Sequence, residues 1–194
     1  GVNLKRALEF IVKGITLSNL SEDNRVSSPE SFINDSSAEI FVECTPLNPF
    51  DGQPALNFNK IALNRGKHVV TANKGPVVFG FKELSDLSKD RNKGFYFESA
   101  VMDGAPIFSL FRETLPLIEL KGFLGILNSC TNYLLDLMNA GLSLNDAVDK
   151  AQSIGITETD PSADIDGWDA AIKVAALVSV LMGIPTTPQQ INRS

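Results

Sequence analysis

Histidine and cysteine are scarce in this chain, and their scarcity excludes several kinds of chemistry. The 194 residues contain one histidine, His68, and two cysteines, Cys44 and Cys130, which lie far apart and outside any Cys-x-x-Cys spacing. A histidine-based metal site or a Ser-His-Asp triad within this chain is therefore nearly excluded. Two distant cysteines favour reduced thiols and a cytoplasmic protein over a secreted one.

Dense basic clusters and long apolar runs are missing as well. The net charge is −6 at pH 7, so nucleic acid and anionic membranes are poor candidates for partners. No apolar run reaches the roughly 18–20 residues needed to span a bilayer, and no signal peptide is visible. The 43% hydrophobic and 21% charged content is that of an ordinary globular protein with one domain or two small ones.

Strand and helix signals alternate through the first half of the chain. In chain order they are a strand at 39–44, a helix at 54–64, a strand at 68–71, a helix at 77–90 and a strand at 95–100. This order predicts an α/β fold with a parallel sheet, in which ligands gather at the carboxyl ends of the strands. Thr45, Lys74 and Glu98 lie at or near those ends, which makes them candidates for a binding site.

The segments that come before and after the predicted sheet in the sequence have different patterns. Residues 4–13 show helical spacing, and residues 18–37 are polar and predict a loop. After residue 102 we expect, in chain order, a helix at 106–115, a strand at 117–127 and helices at 129–139, 144–153 and 166–182. The change in pattern predicts a nucleotide-domain-like part over residues 1–102 and a mixed α+β part over residues 103–194.

Residues 155–177 carry the most informative pattern, because acidic residues there precede a helix with one lysine. Lys173 is the only charged residue between positions 170 and 182. An unpaired ammonium is costly to bury, so we expect Lys173 to face a cleft and to meet a partner. Asp169 lies one helical turn before it, which indicates either an ordinary helix ion pair or a lysine that donates and accepts a proton.

The acidic residues of this segment have three interpretations. Glu158, Asp160, Asp164, Asp166 and Asp169 can bind a divalent cation, cap the following helix or hold a substrate ammonium. Their spacing is not that of an EF-hand, and capping near the helix start agrees with the helix dipole. Because carboxylates bind an ammonium without any metal, we prefer an amine-bearing substrate to a divalent cation as the functional hypothesis.

Two other segments have both a plain and a functional interpretation. The sequence Asn-Lys-Gly-Pro at 73–76 is common in turns, so Lys74 is either a solvated loop lysine or a site residue. Small polar residues at 128–131 open a helix and either cap it or receive an anion on free N–H groups. Cys130 has no neighbouring base in the sequence, which favours an inert thiol.

Four stretches together resemble the homoserine dehydrogenase family, NAD(P)-dependent oxidoreductases of the aspartate-derived pathway to threonine and methionine. They are GKHVVTANKGP (66–76), FESAVMDGAPIF (97–108), GILNSCTNYLLDLM (125–138) and AQSIGITETDPSADIDGWDAAIK (151–173). The resemblance covers almost the whole chain, and its last stretch is the most specific. It implies a partial Rossmann-like domain over 1–102, a substrate-binding and dimerisation domain over 103–194, and a homodimer that acts on a small amino-acid substrate.

The resemblance also implies a role for each matching residue. Lys173 would donate and accept the proton, with Asp169 orienting it and Lys74 as a second candidate for proton transfer. The residues implied to contact the substrate, homoserine or aspartate semialdehyde, are Glu158, Asp164, Asp169 and Cys130. Those implied to line the NAD or NADP cofactor are Thr45, Lys74 and Gly155. Glu98 and Val101 would correspond to a site for a monovalent cation such as sodium.

The sequence departs from the family pattern at several positions. The glycine-rich GxGxxG turn is not found in these residues, and we expect it upstream of residue 1, as we expect a return segment after the last helix. The usual Asn-Gly-Thr is Asn128-Ser129-Cys130, Ile156 replaces an aromatic residue, and a run of glycines after Glu98 is reduced. These departures leave two alternatives open: a non-catalytic relative or assembly module, and a related dehydrogenase for another amino or hydroxy acid.

Overall fold

The described residues of the first unit of the chain, Gly1–Ser37, contain two α-helices and a 3-10 turn, Leu17–Asn19. The computed structural model describes residues 3–20, 26–157 and 160–193, and it divides the chain into this unit and a second one, Ala38–Ser194. Helix α1 (Leu4–Val12) confirms the helix predicted at 4–13, whereas helix α2 (Pro29–Asp35) lies where a loop was predicted. Helix α2 forms despite its polar composition because Ser28 and Ser31 make a reciprocal capping box and Pro29 opens the first turn.

A parallel three-stranded sheet organises the second unit. The elements are β1 (Ile40–Glu43), α3 (Ala55–Asn64), β2 (His68–Thr71), α4 (Lys74–Asp90) and β3 (Phe95–Tyr96). The strand order is β1-β2-β3, and both pairings are parallel, with Glu43 opposite Thr71. This topology confirms the predicted α/β fold, and it brings the carboxyl ends of β1 and β2 side by side.

Helix α4 begins three residues earlier than the sequence predicted, and this changes the setting of Lys74. The side chain of Asn73 accepts the backbone N–H of Gly75 at 2.9 Å and caps the helix. Pro76 fits within the first turn, where its missing N–H costs nothing. Lys74 is therefore the first residue of a helix rather than a solvated turn residue.

The segment that follows β3 is less regular than expected. The strand predicted at 95–100 stops at Tyr96 and gives way to a 3-10 turn, Glu98–Ala100, and the helix predicted at 106–115 is divided into α5 (Ile107–Ser109) and a π-helical turn, Leu110–Thr114. The strand predicted at 117–127 is absent. Within the described residues, the sheet has three strands and none of them pairs with this segment, so its backbone has no ladder to join.

Four further α-helices follow in the part of the chain that the structure describes, before a 3-10 turn at Pro188–Gln190. They are α6 (Ser129–Asn139), α7 (Leu144–Ser153), α8 (Ser162–Ile165) and α9 (Trp168–Leu181). The first two match the predicted helices, whereas the last predicted helix, 166–182, begins at Trp168 instead. Gly167 has φ +72°, a left-handed conformation that suits glycine and separates α8 from α9. None of the helices in the described ranges is long and apolar enough to cross a membrane.

Apolar packing between α4 and α9 positions the polar residues at the start of both helices. Val77 and Val78 of α4 belong to the same buried cluster as Ile172 and Ala175 of α9, and aromatic side chains such as Phe97 complete it. Small alanine side chains on α9 allow the two helices to approach closely. The amino-terminal turns of both helices therefore lie next to each other.

Asn59 in α3 is a buried residue whose replacement we expect to stabilise the protein. Its side chain is fully buried, and neither amide atom has a hydrogen-bond partner. We predict that Asn59→Leu, which keeps the number and branching of the side-chain heavy atoms and removes the unsatisfied groups, raises the free energy of unfolding by about 1–2 kcal/mol. Thermal melts followed by circular dichroism measure this, with Asn57→Leu at an exposed position of the same helix as control. A lower melting temperature for Asn59→Leu would contradict the prediction.

Candidate active site

Side chains from the starts of four helices meet beside the carboxyl edge of the sheet. The cluster consists of Lys74 at the start of α4, Asn128 before α6, Asp164 in α8, and Asp169 and Lys173 in α9. The α4–α9 packing brings Lys74 to Asp169, and the bend at Gly167 turns α8 so that Asp164 also joins. Helix amino termini carry partial positive charge, which favours the gathering of carboxylates at this point.

Asp169 is the centre of the cluster. Its Oδ2 lies 2.7 Å from Lys173 Nζ, and its Oδ1 lies 3.3 Å from Lys74 Nζ. Asn128 donates a further hydrogen bond from Nδ2 to Oδ2 at 2.8 Å. Burial alone would raise the pKa of this carboxyl, but the hydrogen bond from Lys173, the charge of Lys74 and the hydrogen bond from Asn128 hold the pKa below its ordinary value.

Lys173 is paired and largely buried, as the sequence predicted for the lone charge of an apolar helix. Its side chain is 17% exposed, and Nζ donates to the backbone carbonyl of Leu127 at 2.7 Å in addition to pairing with Asp169. An ammonium has three N–H donors, so these two contacts leave one donor for another acceptor. Lys74, with 21% of its side chain exposed, brings a second ammonium to the opposite oxygen of the same carboxylate.

Asn128 joins the two acidic residues of the cluster, a role that the sequence analysis did not assign. Its Nδ2 donates to Asp164 Oδ1 at 2.7 Å as well as to Asp169. Its Oδ1 accepts the N–H of Thr131 at 2.7 Å, which confirms the predicted cap of α6. Thr157 Oγ1 donates to the other oxygen of Asp164 at 3.3 Å. The cap and the bridge use different atoms of one amide, and only the cap has a local sequence signal.

Thr45 and the start of α4 are connected at the carboxyl ends of β1 and β2. Asn73 Nδ2 donates to the carbonyls of Thr45, at 2.9 Å, and of Pro46, at 3.3 Å. Thr45 in turn donates to Glu43, a 1% exposed acidic residue at the end of β1 for which the sequence analysis proposed no role. The structure therefore connects Thr45 by a hydrogen bond to Asn73, the residue before Lys74, and both Thr45 and Lys74 are expected at the cofactor site.

The other residues expected to be functional lie outside this cluster. Glu98 accepts the backbone N–H groups of Phe108 and Ser109 at 2.7 and 3.0 Å, so its carboxylate caps α5, and Val101 packs in the apolar core. Across the described ranges, no group of three or more His, Cys, Asp and Glu side chains is arranged to hold a metal ion. The monovalent-cation site and the role of Gly155 stay predictions, and Glu158 lies outside the described residues.

Cys130 lies in the first turn of α6, close to the acidic cluster. It is 3% exposed, whereas Cys44 is exposed. Burial raises the pKa of the Cys130 thiol, a hydrogen bond with Thr157 opposes that rise in part, and the charge of Asp164 adds to it. These features agree with the inert thiol that the sequence favoured.

The fold and the cluster together define a class of protein: an α/β protein with a lysine–carboxylate site at the carboxyl edge of a parallel sheet, where such folds bind their ligands. Residues 106–194 match the sequence model of a family described as homoserine dehydrogenase. A homoserine dehydrogenase of Methanocaldococcus jannaschii is 38% identical over 193 residues, which cover 99% of this chain and 57% of that protein. An NAD(+)-dependent homoserine dehydrogenase of Pseudomonas canavaninivorans is 41% identical over 84% of this chain and 46% of its own length.

Solved structures agree with the sequence relatives. A hyperthermophilic archaeal homoserine dehydrogenase in complex with NADPH aligns over 97% of this chain and 60% of its own, with a TM-score of 0.76 and 32% identity. Homoserine dehydrogenase from Thermoplasma acidophilum aligns over 98% of this chain and 58% of its own, with a TM-score of 0.79 and 30% identity. The chain belongs to the homoserine dehydrogenase family, and it spans about half the length of the curated relatives it matches.

The two cysteines are expected to differ in their reaction with thiol reagents. We predict that iodoacetamide at pH 7.5 modifies Cys44 at least about tenfold faster than Cys130, because Cys130 is buried and its thiolate is disfavoured. Peptide mapping by mass spectrometry measures both rates. A Cys44→Ser variant isolates Cys130, and unfolding in urea should make Cys130 react readily. Equal rates in the folded protein would contradict the burial of Cys130.

Asp169 is expected to make a contribution to stability that depends on pH. Its folded pKa lies below its ordinary value, so the contribution is fully present above about pH 4 and is lost as the pH falls through the lower folded value. We predict that Asp169→Asn lowers the free energy of unfolding by about 1–3 kcal/mol at pH 7 and by less near pH 3. Urea unfolding at both pH values measures the difference, and a gap that stays constant would contradict the prediction.

Proposed function

We propose that the whole protein interconverts L-aspartate 4-semialdehyde and L-homoserine with NAD or NADP, since the relatives that it matches are named homoserine dehydrogenases. The observation that carries the proposal is the position of Asp169 between two ammonium groups, Lys74 and Lys173, at the ligand-binding edge of the sheet. Family membership supports the substrate, and the residue types support the reaction.

Lys173 supplies the proton for the aldehyde oxygen in this proposal. Reduction of the aldehyde carbon leaves negative charge on its oxygen, which must be stabilised and then protonated. Lys173 fits because two of its three N–H donors are held by Asp169 and Leu127 and the third is left for a substrate oxygen. In the oxidation of homoserine, a neutral Lys173 takes the hydroxyl proton. Lys74 remains the second candidate for either step.

Asp169 orients both lysines and offsets their mutual repulsion. Each of its oxygens faces a different ammonium, so the carboxylate fixes the two Nζ atoms relative to one another. Holding reacting groups in a fixed geometry is worth a large part of a catalytic barrier. Its lowered pKa supports this role because the carboxyl stays charged at neutral pH.

Asp164, together with Glu158, holds the amino group of the substrate in this proposal. Asp164 is bridged to Asp169 by the Asn128 amide, so an acid for the substrate ammonium lies beside the acid that positions the lysines. The amino end of the substrate then meets a carboxylate while its aldehyde end meets an ammonium. This division of charge gives the substrate one preferred orientation. Cys130, in the first turn of α6, lies beside Asp164.

The residues present fit the reacting end of a dinucleotide cofactor. Thr45 lies just beyond the carboxyl end of β1 and Lys74 lies at the amino terminus of α4, where parallel α/β folds place such ligands. The bound cofactor supplies the hydride, and this chain supplies orientation and the proton. The relatives are named both as NAD(+)-dependent and in complex with NADPH, which supports either cofactor.

Lys173 gives the sharpest test of this function. We predict that Lys173→Ala in the whole protein lowers kcat by a factor of about 10² or more while the dissociation constant of NADPH, followed by its fluorescence, changes little. Lys173→Arg keeps the charge but does not transfer a proton readily, so it should remain slow. Lys82→Ala removes an exposed lysine that also pairs with an aspartate one helical turn away and should retain activity.

An unchanged kcat for Lys173→Ala would refute the assigned role. Failure of the unaltered protein to bind NADPH would favour a non-catalytic relative or assembly module. Faster turnover of a different aldehyde would instead favour a related dehydrogenase. The homodimer, the cation site at Glu98 and Val101, the cytoplasmic location and the boundary near residue 102 remain expectations of the family resemblance and the sequence.

A further inference from the structure

Glu43 is a buried acid that the mechanism above does not use. It is the last residue of β1 and is 1% exposed. Across the described residues, its carboxylate has no ion pair and is compensated by hydrogen bonds instead. Oε1 accepts both the backbone N–H and the hydroxyl of Thr45 at 2.6 Å, and Oε2 accepts the hydroxyl of Thr71 at 2.6 Å. Burial of a carboxylate is costly, so we infer that its hydrogen bonds have a role in this place. An apolar side chain could not make those bonds.

The bonds of Glu43 lead directly to the start of α4. Thr71 is the register partner of Glu43 in the neighbouring strand, and its Oγ1 also accepts the backbone N–H of Asn73 at 3.0 Å. Asn73 caps α4 with its Oδ1 and donates from Nδ2 to the carbonyl of Thr45. Each of these residues is therefore held by at least two hydrogen bonds, and the chain of contacts closes on itself.

Lys74 is the next residue after this closed network. Its Cα is fixed by the Asn73 cap, and its Nζ lies 3.3 Å from Asp169 Oδ1. A flexible lysine side chain keeps such a position only if its backbone is held, because long side chains lose much rotamer entropy when ordered. Glu43, at the end of β1, is thus linked to Lys74 in the cluster through Thr71 and Asn73.

We propose that Glu43 is a positioning residue, which holds Lys74 against Asp169 through Thr71 and Asn73. This inference rests on the proposed function, since it assigns Lys74 to the reacting site. Glu43 touches neither substrate nor cofactor in this scheme. A small displacement of a reacting group can lower a rate by up to about 10²-fold, so loss of the network affects turnover before it affects folding.

Two substitutions break the network from opposite sides. Glu43→Gln keeps the shape but turns a donor toward the Thr71 hydroxyl, which then loses its acceptor. Thr71→Val also keeps the shape and removes the hydroxyl, whereas Thr71→Ser retains it and is the matched control. We expect kcat for aspartate semialdehyde to fall about tenfold or more in Glu43→Gln and Thr71→Val, and less than about twofold in Thr71→Ser.

A double-mutant cycle separates positioning from general destabilisation. If Glu43 acts through Lys74, then Glu43→Gln should lower kcat by less than about twofold when introduced into Lys74→Ala. A loss of the same factor in both backgrounds would overturn the proposal, because the effect would then not pass through Lys74. Thermal melts confirm that each variant is folded, and if Glu43→Gln does not fold, the Thr71→Val and Thr71→Ser pair carries the same cycle.

A second readout does not depend on turnover. Acylation of Lys74 by an amine reagent, measured by mass spectrometry, should be about threefold or more faster in Glu43→Gln and Thr71→Val, because the ammonium loses its place beside Asp169. Lys82 is exposed and serves as the internal reference, with an equal rate in every variant. Unchanged labelling of Lys74 would overturn the proposal even in an active enzyme. If the protein does not reduce aspartate semialdehyde, the labelling still decides the role of Glu43.

Discussion

One carboxylate, that of Asp169, makes the rest of this site physically possible. Two ammonium groups held on the two oxygens of one carboxylate repel each other, by roughly a few kcal/mol at an effective dielectric constant of about 20. Asp169 lies between them, with one oxygen toward Lys74 and the other toward Lys173. Without that charge, both lysines would lose their ion pairs, and Lys173 would keep its hydrogen bond to the carbonyl of Leu127. The carboxylate thus determines both the electrostatics and the geometry of the cluster.

Helix packing determines which residues this carboxylate can reach. Asp169 and Lys173 share one face of α9 by their spacing alone, but Lys74 comes from α4, which is placed by its apolar contacts with α9. Small residues such as Ala175 and Ala176 at that interface allow the close approach. Helix α9 therefore buries one face against α4 and presents its charged residues near its amino-terminal end. Core packing and site geometry are two consequences of a single contact.

The sequence predicted correctly the elements that depend on a local pattern. Its predictions failed where a strand-pairing partner or a helix cap determines the structure. Strands β1 and β2 and helices α6 and α7 follow from short β-prone runs and helical periodicity bounded by turn residues. The strand expected at 117–127 does not form because a strand requires a hydrogen-bonded neighbour, and no local pattern reveals whether one is present. Helix α2 and the early start of α4 depend on capping by Ser28 and Asn73, which overrides a turn-like composition.

The site shows the same division between local and long-range information. Lys173 and Asp169 could be identified from the sequence because a single charge on an apolar helix needs a partner, and that partner lies one turn away. The contact of Lys74 with Asp169 joins residues far apart in the chain. The place of Lys74 after a predicted strand and the family resemblance both made it a site candidate, but neither gave this contact. Glu43 left a weaker signal: an acid near the end of a β-prone run, with a threonine two residues later. Such an acid is expected at the surface, and only the strand register, which sets it beside Thr71, explains why it is buried.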